Sequence, residues 1–119
     1  MKSKSSAVTK YCIDVLTYNG YFVWRQNNVG VFDPIKKIYR SNSSKKGVPD
    51  IIGITPTGKF IGIEVKIGKD KVSTFQLEFH QQAEKLGAVT AIVTEKNFVQ
   101  VVKNIIDCDK SDIENNNNG

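Results

Sequence analysis

Two carboxylates and one ammonium group lie close together near the middle of this 119-residue sequence. Asp50 opens the segment Asp-Ile-Ile-Gly-Ile, while Glu64 and Lys66 belong to the segment Ile-Gly-Ile-Glu-Val-Lys. Both segments are rich in β-branched residues, which favour strands. Between them, residues 55–59 read Thr-Pro-Thr-Gly-Lys and carry the proline and glycine of a tight turn. The pattern predicts an antiparallel hairpin whose turn is centred near Thr57.

A turn at that position would place Asp50 opposite Glu64 on neighbouring strands. Directly opposed Cβ atoms in a sheet lie about 5 Å apart, and like charges there repel each other. We therefore expect a cation between the two carboxylates. Lys66 lies two residues beyond Glu64 and so shares its face of the strand. Carboxylate oxygens select Mg²⁺ or Mn²⁺. Such an ion can activate water for attack on a phosphodiester, while a neighbouring ammonium orients the water or neutralises charge.

Each of these residues also has an ordinary structural interpretation. An aspartate after a proline is often only a turn residue, and a Glu-x-Lys pattern on a strand is often a solvated face. Because an unpaired carboxylate is costly to bury, the combination favours a metal site if the strands are buried on both faces. The flanking apolar residues predict such burial: Ile51, Ile52, Ile54, Ile61, Ile63 and Val65.

The same residues resemble the signature of a known nuclease superfamily. The Pro-Asp at positions 49–50 and the Glu-Val-Lys at positions 64–66 match the PD-(D/E)xK pattern. The fuller sequence is similar to the VRR-NUC branch, the virus-type replication-repair nucleases. Its further matching parts are residues 21–27, the glycine before Val-Pro-Asp, and the Ser-x-x-Gln of residues 73–76. The resemblance covers roughly residues 7–106.

The resemblance implies a restriction-endonuclease-like α/β core, in which a mixed β-sheet is flanked by helices. It implies a metal-dependent endodeoxyribonuclease in which Asp50, Glu64 and the Val65 carbonyl bind Mg²⁺ or Mn²⁺. Lys66 and Gln76 would act on the metal-bound water. Relatives of this stand-alone size resemble phage or viral enzymes that cut branched DNA, including four-way (Holliday) junctions, as homodimers in DNA repair.

Two features of this resemblance stay open. Gln76 is also the partner of Ser73 in a capping box, a local pattern that begins a helix. Many relatives carry a glutamate in the first helix that adds to the metal site. Here residues 3–6 read Ser-Lys-Ser-Ser and contain no acid. The number of metal ions, one or two, therefore stays undecided.

Other functions are compatible with the same residues. Within enzymes, the alternative is a nuclease for flaps or for the ends of ordinary duplexes. A non-catalytic DNA-binding module on the same fold is a second class, although a binder has no need of a repulsive carboxylate pair. A third is an assembly protein whose lysines serve only solubility.

The composition favours an anionic partner such as DNA, since the net charge is +5 and the isoelectric point is about 9.2. No apolar run is long enough to span a bilayer, and the N-terminus lacks the apolar core of a signal peptide. We therefore expect an intracellular protein, in the host cytoplasm if it is phage-encoded. Cys12 and Cys108 predict neither a disulfide nor a zinc site. The lysines that flank the acidic pair are expected to contact phosphates: Lys45, Lys46, Lys69 and Lys71.

The hydrophobic periodicity predicts one domain over residues 1–107 and a disordered, asparagine-rich tail over 108–119. A first helix around residues 8–16 should have Ser5 or Ser6 as its N-cap. A strand at 21–25 follows, then short strands at 31–32 and 38–39. Residues 41–47 should form a loop that leads to the carboxylates.

A second helix is predicted to begin at Ser73 and to end at Gly87, with His80 on its surface. Its apolar face consists of Phe75, Phe79, Ala83 and Leu86. A buried strand follows at 88–93, and Thr94 can cap a last helix. We expect the wide apolar stripe of that helix to supply a dimer surface. The stripe consists of Phe98, Val101, Val102, Ile105 and Ile106.

Overall fold

The fold is a mixed sheet flanked by helices, in a computed structural model that describes residues 3–26, 31–40 and 45–117. One sheet has the strand order β1-β4-β5-β6, while β2 and β3 pair only with each other. Strands β5 and β6 run parallel, and the other neighbouring pairs run antiparallel. The predicted α/β class is confirmed. The elements are α1 (Lys4–Tyr18), β1 (Phe22–Arg25), β2 (Val31–Asp33), β3 (Ile38–Arg40), β4 (Ile51–Ile54), β5 (Phe60–Val65), α2 (Thr74–Lys85), β6 (Val89–Val93) and α3 (Phe98–Asn117).

Helix α1 begins one turn earlier than the apolar spacing predicts. The Ser3 hydroxyl accepts a hydrogen bond from the Ser6 amide at 3.2 Å, so Ser3 is the N-cap, and the prediction of Ser5 or Ser6 was wrong. The helix ends at Asn19, followed by Gly20 with a φ of +90°. Within its predicted apolar stripe, Val8, Cys12 and Leu16 are buried, while Tyr11 and Val15 are partly buried.

The β4–β5 hairpin has the predicted register. Ile51 pairs with Ile63 and Ile54 with Phe60, which centres the turn on Thr57. The turn is closed by a hydrogen bond of 2.8 Å from the Thr55 amide to the Lys59 carbonyl. This register carries residue 50 to a position opposite residue 64.

One side of the main sheet, called here the core face, packs against α1 and α3. Alternate strand residues on this face belong to a single buried cluster with the apolar residues of the two helices. Strand residues of the core face are Val23, Ile51, Ile61, Ile63, Val65 and Val93. Helix residues of the cluster include Val8, Cys12, Leu16, Val102, Ile105 and Ile106. Burial of this kind supplies most of the folding free energy.

The other side, called here the open face, is only partly covered. The predicted burial on both faces is confirmed for β5, which is buried from Ile61 to Val65. It was wrong for β4, where Ile52 is partly exposed and Ile54 is 47 % exposed. Helix α2 lies on this side, where the Phe79 and Phe60 ring centroids are 6.1 Å apart. It covers the part of the face near β5 and β6 and leaves the β1–β4 part to solvent.

The side of helix α2 that packs against the sheet differs from the predicted side. His80 is 7 % exposed and belongs to the buried side, so its expected place on the helix surface was wrong. Leu86 is 90 % exposed and Phe75 is 52 % exposed, because α2 meets the sheet through the side that carries His80. The predicted capping box is present, with Ser73 as the N-cap.

The last helix departs from the prediction in two ways. It continues through Asn117, so residues 108–117 are helical rather than a disordered tail. Asp109 is 4 % exposed and accepts a hydrogen bond from the Tyr21 hydroxyl, which anchors this extension to the start of β1. The apolar stripe of α3 faces inward, with Val102, Ile105 and Ile106 buried. It therefore does not supply the exposed dimer surface expected from the sequence.

The short strands predicted near 31–32 and 38–39 are present as β2 and β3. Of the predicted loop at 41–47, residues 41–44 lie outside the described residues. Cys12 and Cys108 are both free thiols. Among the described helices, none is sufficiently long and apolar to cross a membrane.

Candidate active site

Asp50 and Glu64 meet where β4 begins and β5 ends. Asp50 directly precedes β4, and its Oδ2 accepts a hydrogen bond of 2.8 Å from the Val65 amide. Its own carbonyl accepts a hydrogen bond of 2.7 Å from the Gln26 amide. The backbone on both sides of Asp50 thus holds the residue in place. One carboxylate oxygen is engaged by Val65, which leaves the other available as a ligand.

Glu64 is the most unusual polar group of the described chain. It is 2 % exposed, and within the described residues its Oε2 has no hydrogen-bond partner. Its other oxygen lies 3.8 Å from the Lys66 ammonium. A buried carboxylate oxygen without a partner carries a desolvation penalty of roughly 1–3 kcal/mol. The fold keeps this oxygen unpaired beside a second carboxylate, which points to a ligand that both groups share.

The electrostatics of Glu64 agree with this geometry. Burial raises the pKa of Glu64 to about 8, together with a hydrogen bond that the protonated carboxyl can share with Asp50 and the charge of Asp50, against a smaller lowering effect from Lys66. In the absence of a cation, the site therefore favours a proton between the two carboxyl groups. A divalent cation would replace that proton and would remove the repulsion between the two carboxylates.

The donor set fits a hard divalent ion. Among residues 3–26, 31–40 and 45–117, no three His, Cys, Asp or Glu side chains converge on a common point. A metal ion between Asp50 and Glu64 would therefore complete its shell with a main-chain carbonyl, such as that of Val65, and with water. Mg²⁺ accepts this kind of shell, because it is commonly held by one or two carboxylates and retains several waters.

Lys66 is positioned by the parallel part of the sheet. Its amide donates a hydrogen bond of 2.9 Å to the Val93 carbonyl, which continues the β5–β6 pairing one residue beyond β5. The side chain returns toward Glu64 and is 16 % exposed. The ammonium therefore lies at the edge of the carboxylate pair and can reach a bound phosphate or water.

Gly47 explains how the segment before Asp50 approaches α2. It has a φ of +81°, and a Cβ at this position would lie 2.2 Å from the Phe75 carbonyl oxygen. Only glycine permits so close an approach. Three residues later the chain reaches Asp50, so the first turn of α2 lies near the carboxylate pair. Pro49 packs closely against β5, since a Cβ added to Gly62 would lie 2.8 Å from the Pro49 Cγ.

Gln76 has the capping role that was left open for it. Its Oε1 accepts a hydrogen bond of 2.8 Å from the Ser73 amide, and its own amide donates to the Ser73 hydroxyl at 3.2 Å. The side-chain oxygen is thereby occupied, while the side-chain NH₂ can still donate. A role for Gln76 toward water at the site stays a prediction.

The four lysines predicted to contact DNA are exposed on two segments that adjoin the site. Lys45 and Lys46 precede Asp50, and the Lys46 ammonium lies 4.9 Å from the centroid of the Phe75 ring. Lys69 and Lys71 belong to the segment that joins β5 to α2. Both segments lead directly to or from the carboxylate pair, so a phosphate at the site would lie between them.

Two exposed aromatic residues on the open face were missed by the sequence reasoning. Phe22 is 68 % exposed and Trp24 is 41 % exposed, and their ring centroids are 5.2 Å apart. The period-two alternation around the buried Val23 could have shown that both rings share a face. The sequence could not show that both rings are exposed, because their exposure depends on how much of the open face α2 covers.

Comparison with known proteins gives a consistent picture. The model of the VRR-NUC domain family matches residues 31–97. A solved structure described as a VRR-NUC domain superposes with a TM-score of 0.57 and 25 % sequence identity, covering 86 % of this chain and 97 % of that one. This match agrees with the predicted restriction-endonuclease-like core. No curated protein shows significant similarity to the sequence.

Proposed function

Because the chain belongs to the VRR-NUC domain family, a family of nucleases, we propose that it is a divalent-metal-dependent endonuclease that cuts branched DNA. The four-way (Holliday) junction is its proposed substrate, and DNA repair its proposed context. The observation that carries the proposal is Glu64, whose buried Oε2 has no partner in the described chain and faces a second carboxylate. A fold that served only to bind DNA would gain nothing from this arrangement.

The proposed mechanism assigns a task to each residue. A Mg²⁺ or Mn²⁺ ion would be held by Asp50, Glu64 and the Val65 carbonyl, and it would polarise the phosphoryl group and lower the pKa of a water molecule. The Val65 amide fixes the orientation of Asp50. Lys66 donates a hydrogen bond to the attacking water or to the phosphate, where negative charge increases in the transition state. The Gln76 side-chain NH₂ assists in holding the water.

The basic surface supports the choice of a polyanionic substrate. The chain carries a net charge of +5, and the lysines beside the site lie on both segments that adjoin it. Neutralising several phosphates makes affinity fall steeply with salt. We propose that Lys45, Lys46, Lys69 and Lys71 make these contacts.

The proposal includes a homodimer of the phage or viral type, acting inside the cell on host or phage DNA. One chain holds one carboxylate pair, so symmetric cutting of two strands needs two copies or two visits. A two-fold dimer would match the near two-fold symmetry of a four-way junction. The α3 stripe is internal, so a dimer would form through another surface.

A substrate panel tests the proposal. End-labelled four-way junction, fork, flap and linear duplex are incubated with Mg²⁺ or Mn²⁺, with EDTA as the control. We expect paired cuts near the junction point and none in EDTA, while light scattering gives the mass of two chains. Faster cutting of flaps or duplex ends would favour the alternative nuclease. Salt-sensitive binding without any cutting would favour the non-catalytic module.

A further inference from the structure

The exposed aromatic pair lies on the same face of the sheet as the catalytic carboxylate. Ile63 and Val65 belong to the core cluster, so strand alternation directs Glu64 to the open face. Trp24 pairs with Ile52, which pairs with Gly62, two residues before Glu64. Phe22 pairs with Ile54, one row further away. A DNA strand that reaches Glu64 across β1 and β4 would therefore pass the two rings.

We propose that Phe22 and Trp24 form a stacking platform for unpaired DNA bases next to the scissile phosphodiester. The platform rests on the proposed nuclease function and narrows its substrate to DNA whose bases are unstacked near the cut. Base–aromatic stacking is the usual way in which a protein surface holds such bases, and it tolerates any sequence.

The arrangement of the two rings favours unstacked over duplex DNA. The Phe22 and Trp24 ring centroids lie 5.2 Å apart, and the ring planes are tilted by 52° to each other. Bases stacked in one strand of a duplex rise only about 3.4 Å each. A duplex would also present its sugar–phosphate backbone to the rings instead of its base faces. An opened branch point presents base faces, and bases there have already lost part of their stacking.

The charges around the platform favour DNA over a second copy of the chain. The exposed Lys45 and Lys46 precede Asp50, which lies opposite Glu64 on the open face. A second copy docked through the same face would bring these positive groups of both copies toward one another, whereas a polyanion would neutralise them. The chain as a whole carries a net charge of +5.

Trp24 is the single tryptophan of the chain, so its emission reports directly on the platform. The wild-type protein is titrated in EDTA, which prevents cutting, with short oligo(dT), a fork and a blunt duplex. Dye-labelled DNA gives the occupancy by anisotropy. We expect oligo(dT) and the fork to quench Trp24 at saturation, and the duplex to leave its emission nearly unchanged at equal occupancy.

Leucine substitutions test the rings themselves, since leucine keeps the apolar contact and removes the π face. We expect Phe22→Leu and Trp24→Leu each to weaken oligo(dT) binding roughly tenfold, toward the low end of what base stacking contributes. Duplex affinity should stay within about twofold. Tyr18→Leu is the matched control, because Tyr18 is 91 % exposed but lies on α1, which packs on the core face. Circular dichroism verifies that each variant is folded.

Three outcomes would overturn the platform. The first is unchanged Trp24 emission at saturating oligo(dT), and the second is an equal loss of single-strand and duplex affinity in the leucine variants. The third is Trp24 emission that depends on protein concentration without DNA, together with a change from dimer to monomer in Trp24→Leu. That result would assign the face to a second copy. Cutting of DNA without quenching refutes the platform alone, while quenching without any cutting in Mg²⁺ supports the platform and refutes the nuclease.

Discussion

The core face and the open face of the main sheet are formed by alternate residues of the same strands, but they differ in polarity and in cover. The core face is apolar where α1 and α3 close it, with Ile51, Ile61 and Ile63 at 0 % exposed. The open face carries the buried Glu64, its neighbour Lys66 and a set of partly exposed rings. Because strand side chains alternate, one set of strands can supply a stable core on one side and a polar site with an unpaired carboxylate oxygen on the other. We therefore expect substitutions on the core face to lower stability and substitutions at the polar site of the open face to lower activity.

The largest expected effect is the loss of cleavage in Asp50→Asn. Asparagine keeps the shape and an oxygen that can accept the Val65 amide hydrogen bond, but it removes a negative metal ligand. Cutting of a four-way junction in Mg²⁺ should fall below detection. Unfolding in metal-free urea should show equal or higher stability, since the Asp50 charge that raises the pKa of Glu64 is removed. Asp14→Asn, an exposed acid on α1, is the control and should cut normally. Cutting by Asp50→Asn at the wild-type rate would mean that the site is wrongly assigned.

The next largest effect is a difference in stability between two leucine variants, one in the core cluster and one on the exposed side of α2. Leu16 is 0 % exposed in the core cluster, and Leu16→Ala should lower the free energy of unfolding by about 2–5 kcal/mol. Leu86 is 90 % exposed, and Leu86→Ala should change it by no more than about 0.5 kcal/mol. Urea titrations measure both. Similar losses in the two variants would mean that the outer side of α2 is covered in solution.

Lys66→Ala should affect chemistry more than binding. The ammonium acts where charge increases in the transition state, so turnover should fall on the order of 10²-fold, while junction affinity changes little. Single-turnover rates and binding measured in Ca²⁺ separate the two quantities. Lys59→Ala serves as the control, since Lys59 pairs with Asp112 at 3.6 Å near the hairpin turn. Equal losses of affinity and rate would make Lys66 a simple phosphate contact.

The smallest effect concerns the pH dependence of stability without metal. The folded-state pKa of Glu64 is about 8, above its ordinary value of 4.5, so the folded chain holds a proton that the unfolded chain releases. Stability should therefore fall as pH rises from about 4.5 to about 8, by on the order of a few kcal/mol. The raised pKa of Asp109 acts in the same direction. Urea unfolding in EDTA measures the slope.

Glu64→Gln supplies the matched control for that slope. Glutamine cannot titrate, so most of the dependence should disappear. The raised pKa of Asp109 and the lowered pKa of buried His80, which act in opposite directions, should still contribute. Added Mg²⁺ should stabilise the wild-type protein more at pH 8 than at pH 5, because the ion competes with a proton. A metal-free stability that rises over this pH range would contradict the raised pKa of Glu64.

Much of the fold could be predicted because its signals are local. The turn at residues 55–59 determines the hairpin register, and that register alone brings Asp50 opposite Glu64. The capping box of Ser73 and Gln76 depends on residues three apart and was equally readable. The apolar stripe of α1 follows from its helical period. In each case the physical cause acts within a few residues, so no knowledge of the rest of the chain was needed.

The exposure of each predicted apolar face was decided only by the tertiary structure. The stripes of α2 and α3 look alike in the sequence, but α3 is enclosed by α1 and the sheet, whereas α2 leaves Phe75 and Leu86 exposed. The helical extension beyond residue 107 depends on Asp109 meeting Tyr21, a contact 88 residues distant in the chain. The unpaired state of Glu64 Oε2 likewise depends on every element packed around it. Burial is a property of which elements meet, and so the sequence by itself could determine the positions of the carboxylates but not the environment that raises the pKa of Glu64.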